Sequence, residues 1–169
     1  MAYAVLGIDP GSQRTGWGIV REESGVLALL ECGVIMPPRK PEMDFSSRLS
    51  FIFHALSAIL SRHRIDAAAI EAVFTARNPG SALKLGQARG VAIAACAAAN
   101  LSIDDYEPTL IKQAIVGTGR ADKEQVAFMV GRMLNLNTAN LKLDTTDALA
   151  VAICHLSHLR IKRLNKFAG

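Results

Sequence analysis

No charge-free apolar run in this chain reaches the ~20 residues that a membrane-spanning helix requires, which sets aside a helical membrane protein. The opening residues MAYAVLGIDPG have no basic segment and no small-residue cleavage site, and their apolar run stops at Asp9. A secretory signal is therefore not expected, and the expected location is cytoplasmic. Cysteine is sparse: Cys32, Cys96 and Cys154 are odd in number, far apart and without C-x-x-C spacing. That excludes a disulfide framework and gives no zinc-ligand pattern, leaving three buried, reduced thiols as the expectation. Internal repeats, low-complexity tracts and linkers are also missing, so one domain over residues 1–159 is expected, followed by a basic tail at 160–169.

What is present is a globular composition, half hydrophobic and one-fifth charged over 169 residues. The net charge of +4 is carried by Arg160, Lys162, Arg163 and Lys166, and the rest of the chain sums to zero. A basic end on a balanced domain is compatible with a polyanionic partner, and equally with a solubilising terminus.

The apolar stretch Ala2 to Asp9 ends in Pro10-Gly11-Ser12, and Thr15 to Arg21 resumes the pattern, as in a hairpin. Val26 to Met36 adds a third strand and closes at Pro37-Pro38, which predicts an antiparallel meander. From Phe45 to about Arg64 the apolar residues recur at helical spacing. Asp66 to Phe74 then reads as a buried central strand carrying one acid, Glu71. A helix over Ser81 to Ala99, a strand over Leu101 to Tyr106 and a short helix from Pro108 to Ile115 follow. Asp122 is positioned to cap the next helix, and a mostly buried helix runs from Asp144 to about Leu159. The sum is an α/β domain: a mixed five-stranded sheet, antiparallel in its first three strands, with helices on its faces.

Four acids stand where structure alone does not ask for them. Asp9 ends the first strand, Glu71 lies inside the fourth, and Asp144 and Asp147 are three apart on one face of the last helix. Carboxylates gathered in a partly buried place repel one another unless cations neutralise them, and hard oxygen donors suit Mg²⁺ or Mn²⁺. Singly, each except Glu71 has a plainer account: Asp9 as a turn residue, Asp144 as a cap, Asp147 as a first-turn acid. Glu71 has none, because an unpaired carboxylate inside an apolar strand is costly.

GIDPGSQRTGWG at residues 7 to 18, IEAVF at 70 to 74, NPGSALKLGQARG at 78 to 90 and DTTDALAVAICH at 144 to 155 resemble the RuvC family of Holliday-junction resolvases. The likeness is collinear over roughly residues 3 to 156 and implies a ribonuclease H-like fold and a homodimer. It also implies paired symmetrical nicks across a four-way DNA junction, in recombination and repair. The family's metal-binding acids fall on Asp9, Glu71, Asp144 and Asp147, expected to hold two Mg²⁺ per subunit, with Mn²⁺ able to substitute. Thr145 and Thr146 stand where the family often has alanines; Asp144 stands where it sometimes has histidine, which keeps the four-carboxylate version of the site.

Lys112 and Lys123 match basic positions near the scissile phosphate, with Lys123 placed to stabilise transition-state charge. Phe74 matches an aromatic that stacks on unpaired bases at the junction centre. Arg77, Asn78, Lys84 and Arg89, beside the connection after Phe74, are expected to contact phosphates. The implied reaction is in-line hydrolysis of a phosphodiester by water with two divalent ions, and the implied partners include a branch-migration complex of the RuvA and RuvB type. His155 and His158 are expected to be non-ligands, about two turns or more from Asp147. The helix around Val91 to Ala99 is the expected contributor to the dimer interface. A nucleotide-clamping ATPase of the actin-like kind is disfavoured by length, and a non-cutting junction binder by the presence of all four acids.

Overall fold

A computed structural model describes residues 2–38, 43–72 and 78–167, with side chains to residue 165. The elements, in order, are strands β1 (Tyr3–Asp9), β2 (Thr15–Glu23) and β3 (Val26–Ile35), helix α1 (Phe45–Arg62), strand β4 (Ala67–Glu71) and helix α2 (Pro79–Ala98). Strand β5 (Ser102–Tyr106) and helices α3 (Pro108–Val116), α4 (Lys123–Leu134) and α5 (Leu143–Phe167) complete the chain, with one 3₁₀ turn at Thr138–Asn140. The sheet order is β3-β2-β1-β4-β5. β1, β2 and β3 are antiparallel neighbours, while β4 and β5 return parallel to β1 after helical crossovers, giving the mixed sheet expected from the sequence.

Local chemistry sets the boundaries. Ser24 and Gly25 both take positive φ in the two-residue turn between β2 and β3, the geometry that matches strand twist in a tight hairpin. Thr15 clamps the β1–β2 turn by donating its hydroxyl to the Gly11 carbonyl at 2.8 Å. Asp44, Asn78 and Asp122 cap α1, α2 and α4, the last as a reciprocal capping box with Gln125.

Alternation along the strands divides the core in two. Leu6, Ile8, Ile19, Ala68 and Ile70 face α1 and α2, where they meet Ile52, Leu56, Ile59, Ala92, Ala95 and Cys96. Val5, Val20 and Ala69 face the opposite layer of α3, α4 and α5. By the same parity Asp9 and Glu71 point toward α5.

α5 lies unusually close to the sheet because β1 and β2 carry glycine beneath it. A Cβ on Gly7 would run into the Ala148 carbonyl and the Ala152 amide, one on Gly16 into the Asp144 carbonyl, and one on Gly18 into the Leu149 side chain. Ala148 through Leu156 are accordingly buried almost without interruption.

Three expectations shift. α5 continues to Phe167 rather than ending near Leu159, so the basic residues from Arg160 onward extend the helix. Glu71 is the last residue of β4, not an interior one. Cys32 is only half-buried on the edge strand β3, whereas Cys96 and Cys154 are fully enclosed and burial pushes both thiols up to about 12.

Gly7→Ala is expected to destabilise by about 3 kcal/mol, the upper part of the overpacking range, because backbone rather than a flexible side chain opposes the methyl group. Gly86→Ala on α2, with open space at the same position, is expected to gain about 0.4–1 kcal/mol. Urea unfolding midpoints of the two variants check this; similar midpoints would contradict the close-approach account.

Candidate active site

Asp9 and Glu71 are brought together by the β1–β4 pairing. The parallel register runs Val5↔Ala67 to Ile8↔Ile70, and its next step sets Asp9 beside Glu71 at the C-terminal ends of the two strands. On the other side Asp9 pairs with Gly16, over which the backbone of Asp144 rests. Asp147, one turn further along α5, comes over the same strand ends with only 16% of its side chain exposed.

The electrostatics show how close the groups are. Burial, reinforced by the charge of Glu71, a hydrogen bond with it and the charge of Asp147, pushes the Asp9 carboxyl up to about 8. Glu71 is also raised by burial and by Asp147, while the hydrogen bond from Asp9 and the positive charges of Lys123 and Lys112 work the other way. Without a cation, therefore, Asp9 holds a proton and donates it to Glu71. Lys123, the first residue of α4, donates from Nζ to Asp147 Oδ2. Burial opposes the Lys123 charge, yet Asp147, Asp9 and Glu71 together hold its pKa above the ordinary value.

The fourth acid behaves differently. Asp144 turns toward Arg14, whose guanidinium lies 3.9 Å away. Among the described residues no three acids or histidines form a closed metal-ligand set. Lys123 and Arg14 each occupy one of the α5 carboxylates in its place. The donors nevertheless suit a hard divalent cation: all are carboxylate oxygens, and the half-buried Asp9 and Glu71 compete for one proton, a cost that such a cation relieves.

Of the other sequence-predicted residues, Lys112 on α3 is near enough to act on Glu71. Asn78 spends its side-chain oxygen on the Ser81 amide at 2.8 Å as the α2 cap. Lys84 is exposed on α2, its Nζ 5.9 Å from the centre of the Phe45 ring. Arg89 is tied to Asp105 on β5, on the α2 side of the sheet, and is not gathered with the carboxylates. Phe74 and Arg77 lie outside the described residues. His155 accepts or donates at 3.0 Å with the buried Tyr106 hydroxyl, and His158 donates from Nδ1 to its own helix at Cys154, so neither imidazole joins the carboxylates. Arg14 was not singled out from the sequence; its position in the SQRTG turn after the first acid was the available signal.

The sequence matches the family described as crossover junction endodeoxyribonuclease RuvC across residues 5–155. This chain belongs to the RuvC family. The RuvC protein of Oleidesulfovibrio alaskensis is 58% identical over 160 residues, covering 95% of this chain and 94% of the relative. That of Nitratidesulfovibrio vulgaris strain Hildenborough is 56% identical over 163 residues, covering 96% of each. Among solved structures, Thermus thermophilus RuvC in complex with Holliday junction substrate superposes with a TM-score of 0.88 at 34% identity, covering 95% of this chain and 96% of that one. The yeast mitochondrial Holliday junction resolvase Ydc2, with TM-score 0.71, 14% identity and coverage of 96% and 82%, shares the fold. The ribonuclease H-like architecture expected for a RuvC-family chain is thus the one found.

The raised carboxyls carry a stability signature. A folded-state pKa above the unfolded value means that the folded chain binds the extra proton, so this contribution is full below about pH 4 and is lost as pH rises toward about 8. In metal-free protein the Asp9 carboxyl carbon is expected to titrate near pH 8 by NMR. In Glu71→Gln it should move down only part-way, since burial, the largest cause, remains. A midpoint in the ordinary aspartate range for the unmodified chain would refute the pairing.

Proposed function

We propose that this chain resolves four-way DNA junctions as a Mg²⁺-dependent endonuclease, hydrolysing one phosphodiester per subunit to leave paired symmetrical nicks. The observation that carries the reading is the assembly of Asp9, Glu71 and Asp147, with Lys123 among them, at strand ends held by the β1–β4 register. Family membership supplies the substrate class: related proteins carry the crossover junction endodeoxyribonuclease name, and the Thermus thermophilus relative was solved with Holliday junction substrate.

Asp9, Glu71, Asp144 and Asp147 would hold two Mg²⁺ per subunit, with Mn²⁺ as a substitute. Bound there, the ions supply a nucleophilic water at neutral pH and neutralise the leaving 3′-oxygen. The protein's own contribution is charge and position. Asp9 and Glu71 lose their shared proton to ionise as ligands, and strand pairing keeps them from separating. Lys123 presents a cation at the rim of the cluster, where it stabilises negative charge growing on the phosphate. Lys112 adds positive potential beside Glu71, and Arg14 holds Asp144 in place from the β1–β2 turn. By the family resemblance Phe74 would stack on an unpaired base at the junction centre, and Arg77, Asn78 and Lys84 would contact phosphates. Arg89 reinforces β5 through Asp105.

A two-fold junction cut at paired sites calls for a two-fold enzyme. The outward face of α2 supports this: Gly90, Ala94 and Ala97 recur at helical spacing and are exposed in the single chain, so another helix can approach closely. A homodimer through α2, a RuvA and RuvB type branch-migration partner and cytoplasmic work complete the reading. Among the described residues no helix is long and apolar enough to cross a membrane.

The test is cleavage of a mobile synthetic four-way junction and a matched linear duplex, with Mg²⁺ or with chelator. The native chain is expected to nick only the junction and only with metal. Glu71→Gln should bind the junction with cleavage down at least about 100-fold, beyond the loss typical of residues that merely support a ligand. Lys123→Gln should lose about 10²–10³ in rate with binding retained. A junction bound by the native chain and left intact with every divalent ion would make the carboxylates structural and the chain a binding module.

A further inference from the structure

At the end of the sheet away from the carboxylates, a cleft of about 590 Å³ is lined by Tyr3, Arg21, Leu30, Arg64, Asp66 and Arg163 among others. β1 spans seven residues between its Tyr3 and Asp9 ends, which puts the cleft roughly 20 Å from the catalytic acids. Three arginines, from β2, the α1–β4 connection and α5, therefore line one cleft that the proposed reaction does not use.

None of the three has a carboxylate within ion-pair distance among the described residues, although Arg14, Arg62, Arg89 and Arg160 all do. The one acid in the lining, Asp66, is occupied: its Oδ2 accepts the Ala4 amide at 2.8 Å. Arg163 is held over the Tyr3 ring, 5.3 Å from its centre, and the Arg21 backbone is set by its pairing with Ala4. The wall is opened at Leu30, which lies between the paired residues Leu29 and Glu31 as the extra residue of the β3 irregularity and is exposed. Three like charges gathered around a concave surface repel one another, and a polyvalent anion relieves that repulsion. Guanidinium forks match carboxylate and phosphate oxygens two at a time, and the presence of three arginines favours the more highly charged phosphate over a halide or a single carboxylate.

We propose that the Arg21–Arg64–Arg163 cleft is a second phosphate-binding site, separate from the nuclease centre. Its ligand is a phosphate group, drawn either from the backbone of a DNA arm away from the cut or from a free phosphate compound. The site goes beyond the resolvase reading and does not depend on it.

The test uses the full chain without divalent metal, native and Arg21→Gln/Arg64→Gln, with inorganic pyrophosphate and a four-way junction as probes. Arginine Nε–H resonances of Arg21, Arg64 and Arg163 report the small anion, and the salt dependence of junction affinity reports DNA. Native protein is expected to show saturable pyrophosphate shifts at those arginines, weakened at least about tenfold in the variant by the loss of charge-assisted hydrogen bonds. If the DNA backbone is the source, the variant's log–log salt slope also shrinks by about 1 to 2, near 0.9 per phosphate contact. If the slope is unchanged while pyrophosphate binding is lost, the source is a free phosphate compound. Native and variant responding alike to both probes would overturn the site. Cleavage at saturating junction with Mg²⁺ is expected to be equal in both, so a native chain that fails to cut speaks against the resolvase reading alone.

Discussion

The contact on which the rest depends is the seating of α5 directly on the glycine positions of β1 and β2. Gly7, Gly16 and Gly18 remove the side chains that would otherwise hold a helix at normal distance from a sheet. The backbone of α5 descends into that gap at Asp144, Ala148 and Ala152, residues four apart on one helical face. Its height and rotation are thereby fixed by backbone sterics, which are much stiffer than side-chain packing. Asp144 and Asp147 inherit their positions from that seating, and no loop is needed to place them.

The same close approach creates the electrostatic problem that the site exhibits. Bringing α5 down onto the sheet half-buries Asp9 and Glu71, and parallel pairing of β1 with β4 forbids them from moving apart. Burial is the largest cause of the rise in both carboxyls, ahead of the charge of Glu71 at Asp9 and of Asp147 at Glu71. Lys123 offsets part of this from the first turn of α4, whose position is itself secured by the Asp122–Gln125 capping box. A rigid frame holding more negative charge than its solvation allows is poised for a polyvalent cation. The stability lost in building it is recovered in the two apolar layers either side of the sheet.

Most of the frame was legible because it is written in local patterns. Apolar runs bounded by turn residues gave the strands, Pro10-Gly11-Ser12 the first hairpin, and Asp122 and Pro108 the helix starts. Glu71 stood out since a lone acid in AAAIEA has no partner within its own strand. The less legible features depend on contacts between distant segments. Arg14 meeting Asp144, Asp66 holding the Ala4 amide and Arg89 pairing with Asp105 join residues 130, 62 and 16 positions apart. The continuation of α5 to Phe167 was hidden because its last turns are exposed and basic, and composition of that kind is shared by helices and tails alike.

One buried polar group shows how the frame is closed on its far side. His155 is fully enclosed on α5, with Nδ1 on the Tyr106 hydroxyl and Nε2 without a protein partner among the described residues. Burial lowers its pKa, against the opposing pull of Asp104, so the neutral ring is favoured and the contact with Tyr106 is a neutral hydrogen bond. Tyr106 ends β5 opposite Glu71 in the β4–β5 register, and its carbonyl accepts the Ala72 amide just beyond. The strand end that presents Glu71 is therefore braced from β1 on one side and from α5, through Tyr106 and His155, on the other. A carboxylate pushed upward by its neighbours stays in place only where the backbone beneath it is held on both sides. The sheet order β1-β4-β5 supplies that support, which is why the acid sits on the fourth strand, flanked on both sides, and not on the exposed edge.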